Sequence, residues 1–321
     1  MIKKVLITGG LGYIGGRISS FLSKSKSYQL SIGTRDYRQS KPDWLSSGEL
    51  VNLDISDQGS LEEACSGVHT VVHLAATNEF ESALDPVHAL EINSIGSLKL
   101  LNVAINAGVQ RFIYISTAHV YGSPLTGVLT EKSFARPQHP YAITHKTAED
   151  FILAAHDKGQ INSVVLRLSN GFGCPERASV NRWTLLVNDL CKQAITTGKI
   201  VLNSSGIQTR DFISLEDVSR AVEHVLNMPE NATADGLFNL GGENSMKIID
   251  IADKIVECSN VVLNLKLAIK HPEPKAGETS LNLDYCIDKL KSTGYTLTSN
   301  MSEEIDNTLK LCIETFEFGV H

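Results

Sequence analysis

The chain has 321 residues, 42% of them hydrophobic and 20% charged, which is the balance of an ordinary globular protein with room for one large core and a smaller lobe. A net charge of −7 offers no basic footprint for a phosphate backbone, so neither DNA nor RNA is an expected partner. No run of about 18 apolar residues occurs, and the apolar start at Met1–Ile7 breaks off at Thr8-Gly9-Gly10; a membrane span and a signal peptide are both excluded, and a cytoplasmic protein is expected. Six cysteines (Cys65, Cys174, Cys191, Cys258, Cys286, Cys312) are scattered without a C-x-x-C pair, which signals buried thiols, no disulfide framework and no metal site.

In chain order, β-branched runs predict strands at Val5–Thr8, Gln29–Thr34, Thr70–Leu74, Phe112–Ser116 and Val164–Leu168. Apolar residues at three-to-four spacing predict helices over Pro86–Ala107 and Tyr141–His156. This alternation is that of βαβ units. The expected fold class is α/β, a doubly wound parallel Rossmann sheet with a smaller, mostly C-terminal substrate-binding lobe. After Arg167 the rhythm changes at the turn-rich Asn170-Gly171-Phe172-Gly173-Cys174-Pro175, and a helix-like run follows around Trp183 to Ile195. Asp211 to Leu226 reads as a strand end followed by a helix, and Phe238 to Leu240 as a short strand. The expected division is 1–168 for dinucleotide binding, with 211–240 returning to it, and 169–210 with 241–321 for the substrate.

Directly after the first strand stands Thr8-Gly9-Gly10-Leu11-Gly12-Tyr13-Ile14-Gly15, with a helical run behind it. Glycines spaced in this way let the backbone turn tightly and approach a pyrophosphate, whose charge is favoured by the free N–H groups of the helix start. About 20 residues further on, the end of the second strand carries the group that reads the adenosine ribose. Here it is Thr34-Arg35-Asp36. A small neutral residue followed by arginine suits the 2′-phosphate of NADP, while Asp36 keeps NAD open should the strand run longer.

The sequence resembles the extended short-chain dehydrogenase/reductase family, in the branch of nucleotide-sugar epimerases, dehydratases and ketoreductases. The resemblance spans nearly the whole chain. It rests on the glycine motif, Asp54-Ile55, His73-Leu74-Ala75-Ala76, Asn93, Ser116-Thr117-Ala118-His119-Val120-Tyr121-Gly122, Pro140-Tyr141, Arg167-Leu168-Ser169-Asn170 and Arg210-Asp211-Phe212. It implies an NAD(P)-dependent enzyme acting on a nucleotide-linked sugar, with Asp54, Ile55, Leu74, Ala75, Ala76, Asn93 and Ser116 around the cofactor. It also implies Tyr141 as the acid/base, Thr117 as the hydroxyl that orients the substrate oxygen, and a homodimer built on the two long helices.

The chain departs from this family where a lysine is usual. Four residues after Tyr141 stands His145, on the same helix face, whereas Lys146 is rotated a further 100° or so. A partly charged His145 is then expected to assist the tyrosine and the cofactor ribose. The Asp-Glu pair that family dehydratases place after the threonine is here Ala118-His119, which disfavours a 4,6-dehydratase and puts a further candidate acid/base at His119. By the resemblance, Asn170, Arg210 and Lys275 hold the diphosphate of the sugar nucleotide. The leading reading is an epimerase; an NADPH-dependent 4-keto-sugar reductase and a catalytically degenerate dinucleotide-binding protein are the alternatives.

Overall fold

The computed structural model describes residues 2–264 and 267–317. Seven strands form one parallel sheet: β1 (Lys3–Thr8), β2 (Tyr28–Thr34), β3 (Gly48–Asn52), β4 (Thr70–His73), β5 (Arg111–Thr117), β6 (Asn162–Leu168) and β7 (Leu237–Leu240). Their order across the sheet is β7-β6-β5-β4-β1-β2-β3, so the winding reverses between β1 and β4. In open α/β sheets a ligand binds outside the carboxyl ends of the strands at that reversal.

Both faces of the sheet are covered, which is why its strands read as apolar runs. Val5 and Ile7 of β1 point to one face, with Ile18 and Leu22 of the Tyr13–Ser23 helix and Val218 and Val222 of the Leu215–Asn227 helix. Leu6 points to the other, with Leu100, Leu101, Ala148 and Ile152. The predicted helix over Pro86–Ala107 is present in three pieces: an α-turn Pro86–Ala89, a π-helical stretch Leu90–Gly96 and an α-helix Ser97–Asn106. The second long helix runs Pro140–Asp157 with proline in its first turn, where a missing N–H costs nothing. Among the described residues no helix is long and apolar enough to cross a membrane.

Beyond β6 the chain builds the second part. Asn170–Phe172, Thr209–Ser214 and Ser245–Lys247 form a three-stranded sheet. Helices Leu186–Thr197, Ile248–Leu263 and Met301–Thr315 enclose a separate core around Phe172, Trp183, Leu190, Phe212, Ile251 and Leu309. A partly buried ion pair, Arg17 with Glu304 at 2.5 Å, ties the helix behind the glycine turn to the last helix of this lobe.

Candidate active site

The glycine turn is shaped by its own backbone. Gly9 has φ +67°, a left-handed conformation that favours glycine, and a Cβ there would stand 3.1 Å from the Ala75 amide nitrogen. At Gly15 a Cβ would lie 2.2 Å from the Gly9 carbonyl oxygen, so only glycine lets the helix pack down on the turn. Gly12 is different: its Cβ would meet only that same carbonyl, at 3.1 Å, and otherwise point into open space. Gly12 is the N-cap of the Tyr13–Ser23 helix; no side chain caps it and no acidic residue occupies its first turn. Unpaired amides and a positive helix end therefore face outward, which fits a pyrophosphate. The hydroxyl of Thr8 fixes the neighbouring strand end by accepting from the amides of Leu74 and Ala75, both at 3.1 Å.

This turn forms one end of a cavity of about 680 Å³. Gly9, Gly12, Tyr13, Ile14, Gly15, Leu74, Ala75 and Ala76 line the nucleotide end; Ser116, Thr117, His119, Tyr141 and His145 line the middle; Asn170 and Arg210 approach from the second lobe. Residues separated by up to two hundred positions thus meet at the carboxyl ends of β1, β4 and β5. Thr34, Arg35, Asp36 and Asp54 do not line this cavity; they follow the ends of β2 and β3, the strands next to β1, where Thr8 pairs with Gly33 and Leu53 donates to the Thr34 carbonyl at 3.1 Å. Asp54 is held below the usual carboxylate range, chiefly by accepting from the Ser56 hydroxyl and amide and to a lesser degree by the charge of Arg35. Ile55 is buried in the core rather than at the cavity.

Two further expected residues, Asn93 and Lys275, also lie off the cavity lining. Asn93 is fully buried behind the cavity wall, where its carbonyl accepts from the Thr77 amide at 2.8 Å and its amide donates to Thr144 at 3.0 Å. Its hydrogen bonds hold the Thr77 segment to the Pro140–Asp157 helix, and its side chain does not line the cavity. Lys275 is exposed on a turn closed by Glu278, which accepts from its amide at 2.9 Å, and it does not line the cavity. Ser116 does line it, but its hydroxyl donates to the buried Glu149, partner of Arg167, at 2.5 Å.

The protonation states at the centre differ from the expectation. His145 is buried, and its Nδ1 lies 2.9 Å from the Tyr141 carbonyl, an acceptor that fixes the proton on Nδ1 and leaves Nε2 as a lone pair. Burial brings its pKa down to about 4, which favours the neutral ring near pH 7. Lys146 does not replace it, being paired with Asp150 on its own helix. The His145 ring packs on that of Tyr141, centroids 4.2 Å apart. The Tyr141 phenol is pushed up to about 12, mainly by burial, further by the Glu79 carboxylate, and is drawn back by Arg182. The Thr117 hydroxyl accepts from the His119 amide at 3.2 Å, which leaves its own proton to donate outward. His119 itself is held below the usual imidazole value by the surrounding protein and by the charges of Arg210 and His139.

Sequence reasoning missed Glu79 and Arg182, both of which line the cavity, paired at 3.0 Å. A local signal existed for the first: Asn78 and Glu81 form a capping box that starts a helix at Glu79. Nothing in the sequence marks Arg182, which reaches the site only because the second lobe folds over it.

Residues 5–241 match the model of the NAD dependent epimerase/dehydratase family. The chain belongs to that family. A dTDP-D-glucose 4,6-dehydratase of Mus musculus is 28% identical over 270 residues, 79% of this chain and 72% of that one. A UDP-glucose 4-epimerase of Rhizobium leguminosarum bv. trifolii is 28% identical over 276 residues, 80% of this chain and 83% of its own. Among solved structures, a UDP-N-acetylglucosamine 4-epimerase from Methanobrevibacter ruminantium M1, in complex with UDP-N-acetylmuramic acid, superposes with a TM-score of 0.81 at 23% identity, covering 98% of this chain and 99% of that one. The superposition of this epimerase/dehydratase family member spans both the Rossmann sheet and the second part.

Proposed function

We propose that the chain oxidises and re-reduces a nucleoside-diphosphate sugar in the manner of an epimerase, using NAD or NADP. The observation that carries this is one cavity joining an uncapped helix start with Thr117, Tyr141 and His119 and with the lobe's Asn170 and Arg210. The family description and the named relatives support the substrate class. In this reading residues 1–168 and 211–240 hold the cofactor, and 169–210 with 241–321 hold the sugar nucleotide.

A bound nicotinamide supplies the hydride acceptor and donor. Thr117 donates to the reacting oxygen and Tyr141 moves its proton. The neutral His145 offers Nε2 as an acceptor for a ribose hydroxyl. Arg210 and Asn170 face the diphosphate, as cationic and amide donors suit its charge. Arg35 favours NADP and Asp36 favours NAD. His119 where a dehydratase carries acid residues favours epimerase over dehydratase. A reductase drawing NADPH from solution is the reading that Arg35 supports.

The test is to denature the purified protein, identify any released dinucleotide by mass spectrometry, and follow UDP- and dTDP-hexoses by proton NMR. An epimer without net cofactor consumption is expected. Consumption of NADPH by a keto sugar turns the assignment to a reductase; binding without any turnover turns it to a degenerate relative.

We also propose a two-fold dimer through the helices around Pro86–Asn106 and Pro140–Asp157, on which Val87, Leu90, Ile95, Ile143 and Phe151 are exposed. Sedimentation at micromolar concentration checks it, and a monomer refutes it.

A further inference from the structure

We propose that the ion pair Glu79–Arg182 is a specificity determinant that fits the sugar end of the cavity to neutral hexoses and turns away hexoses bearing a carboxylate. The inference rests on reading the chain as acting on a nucleotide-linked sugar, and it names the class of sugar.

Each member of the pair is placed by its own part of the fold. Glu79 opens the Glu79–Leu84 helix, whose N-cap Asn78 accepts from the amides of Phe80 and Glu81 at 2.9 and 3.0 Å. That helix packs on the Pro140–Asp157 helix, and Asn93 ties the preceding Thr77 to Thr144, next to His145. Glu79 therefore stands by the wall that carries Tyr141. Arg182 comes from the second lobe, between the Asn170–Phe172 strand and the Leu186–Thr197 helix, where the buried ring of its neighbour Trp183 anchors the stretch in the lobe's core. The two side chains meet at the cavity, with one Arg182 nitrogen 3.0 and 3.3 Å from the two Glu79 oxygens. Neither is sealed off: the Arg182 side chain is 23% exposed and that of Glu79 35%.

Charge decides what such a wall accepts. Glu79, Glu81, Arg182 and Arg210 are the carboxylates and guanidinium groups lining the cavity. With Arg210 facing the diphosphate, Arg182 is the cation left for the sugar, and Glu79 already offsets it. A sugar carboxylate would set a second anion against that one guanidinium, with Glu81 adding a third nearby, and withdrawing an unmatched charge from water is costly. A neutral sugar adds no charge. Its hydroxyls can donate to the Glu79 oxygens and accept from the guanidinium N–H groups not turned to Glu79, so the pair offers an acceptor and a donor side by side for neighbouring hydroxyls.

The experiment is titration calorimetry of the full chain, with NAD and NADP present, against the glucose and glucuronic acid conjugates of UDP and of dTDP. The wild type is expected to bind the glucose conjugate about 10-fold or more tightly than the glucuronic acid conjugate. Glu79→Gln keeps a hydrogen-bonding partner for Arg182 but removes the opposing charge, and is expected to move the hexose-to-hexuronate ratio about 10- to 100-fold toward the acid. Arg182→Gln leaves the carboxylate unopposed and moves the ratio the other way. Glu79→Asp keeps the charge and restores the wild-type preference, which a merely structural tether between the two parts would not require. Circular dichroism confirms that each variant is folded. A wild type that prefers the hexuronate overturns the proposal, as does a ratio that Glu79→Gln leaves unmoved, or Glu79→Asp matching Glu79→Gln. Sugar preference is read from binding alone: the expected ratios without any epimer formed uphold it and refute the epimerase reading, while conjugates that bind no better than UDP and dTDP themselves refute both.

Discussion

The two ends of the cavity are made of different material. At the nucleotide end the protein presents backbone: a turn at Gly9, a helix start at Gly12 and a packing contact at Gly15, with hardly a charged side chain among them. At the sugar end it presents side chains delivered by six separate segments, around Glu79, Thr117, Tyr141, Asn170, Arg182 and Arg210. A site built from backbone depends on spacing along the chain, whereas a site built from side chains depends on how distant segments meet.

The sharpest way to break this contrast is at the glycines. Gly15→Val forces a branched side chain onto the Gly9 carbonyl and is expected to cost about 3 kcal/mol or more of stability, seen as a lowered Tm together with lost dinucleotide binding. Gly12→Val meets far less protein, so it should fold normally and lose at least ~100-fold in dinucleotide affinity by calorimetry. Equal loss of stability in both variants would remove the distinction between a packing glycine and a ligand-facing one.

Next in size is Tyr141→Phe, expected to lower turnover by roughly 10²- to 10⁴-fold while leaving dinucleotide binding intact. A variant that retains its rate shifts the acid/base role to His119.

The pH dependence separates the two ends further. With His145 neutral and the phenol high, the oxidative rate should climb steadily above neutrality and show no break at pH 6 to 7; a break there would mean that His145 does carry charge. His145→Lys should then raise the rate near pH 7. Acid stability follows from the same burial. His145 and the fully buried His73, brought down to about 3, both titrate below the ordinary imidazole value of about 6.5. The unfolded chain then binds protons that the native state refuses, so stability is complete above about pH 6.5 and is lost as the pH falls toward 4 and 3. A Tm flat across that window contradicts the assignment.

The smallest expected effect lies just past the end of β2. Arg35→Ala should weaken NADP by about 10- to 100-fold and NAD hardly at all, because only the 2′-phosphate gains from the guanidinium. Equal weakening of both would return the ribose to Asp36.

Much of this molecule was legible in its sequence. β1, β2, β4, β5 and β6 are apolar runs because both their faces are covered, and the glycine turn announces itself by position. The site was legible only where it is local. Tyr141 and Thr117 could be placed by resemblance, but the charge state of His145 follows from burial by Tyr114 and its own helix, which no spacing encodes. Asn93 carried the family's motif, yet its hydrogen bonds close on Thr77 and Thr144. Arg182 was invisible because its partner lies a hundred positions upstream.

The position of β7 at the sheet edge has a consequence during synthesis. β6 is complete at Leu168, but the strand that covers its outer edge, pairing Leu237 with Val165, is made only after the chain has passed through the first part of the second lobe. At about 5–20 residues per second, a ribosome takes several seconds to travel between the two. For that interval the nascent sheet ends in an open, apolar strand edge, the kind of surface that recruits other strands. A ribosome stalled anywhere between those points would hold out a nearly finished nucleotide-binding sheet with one unpaired flank, and that species rather than the finished protein is the one most in need of a chaperone.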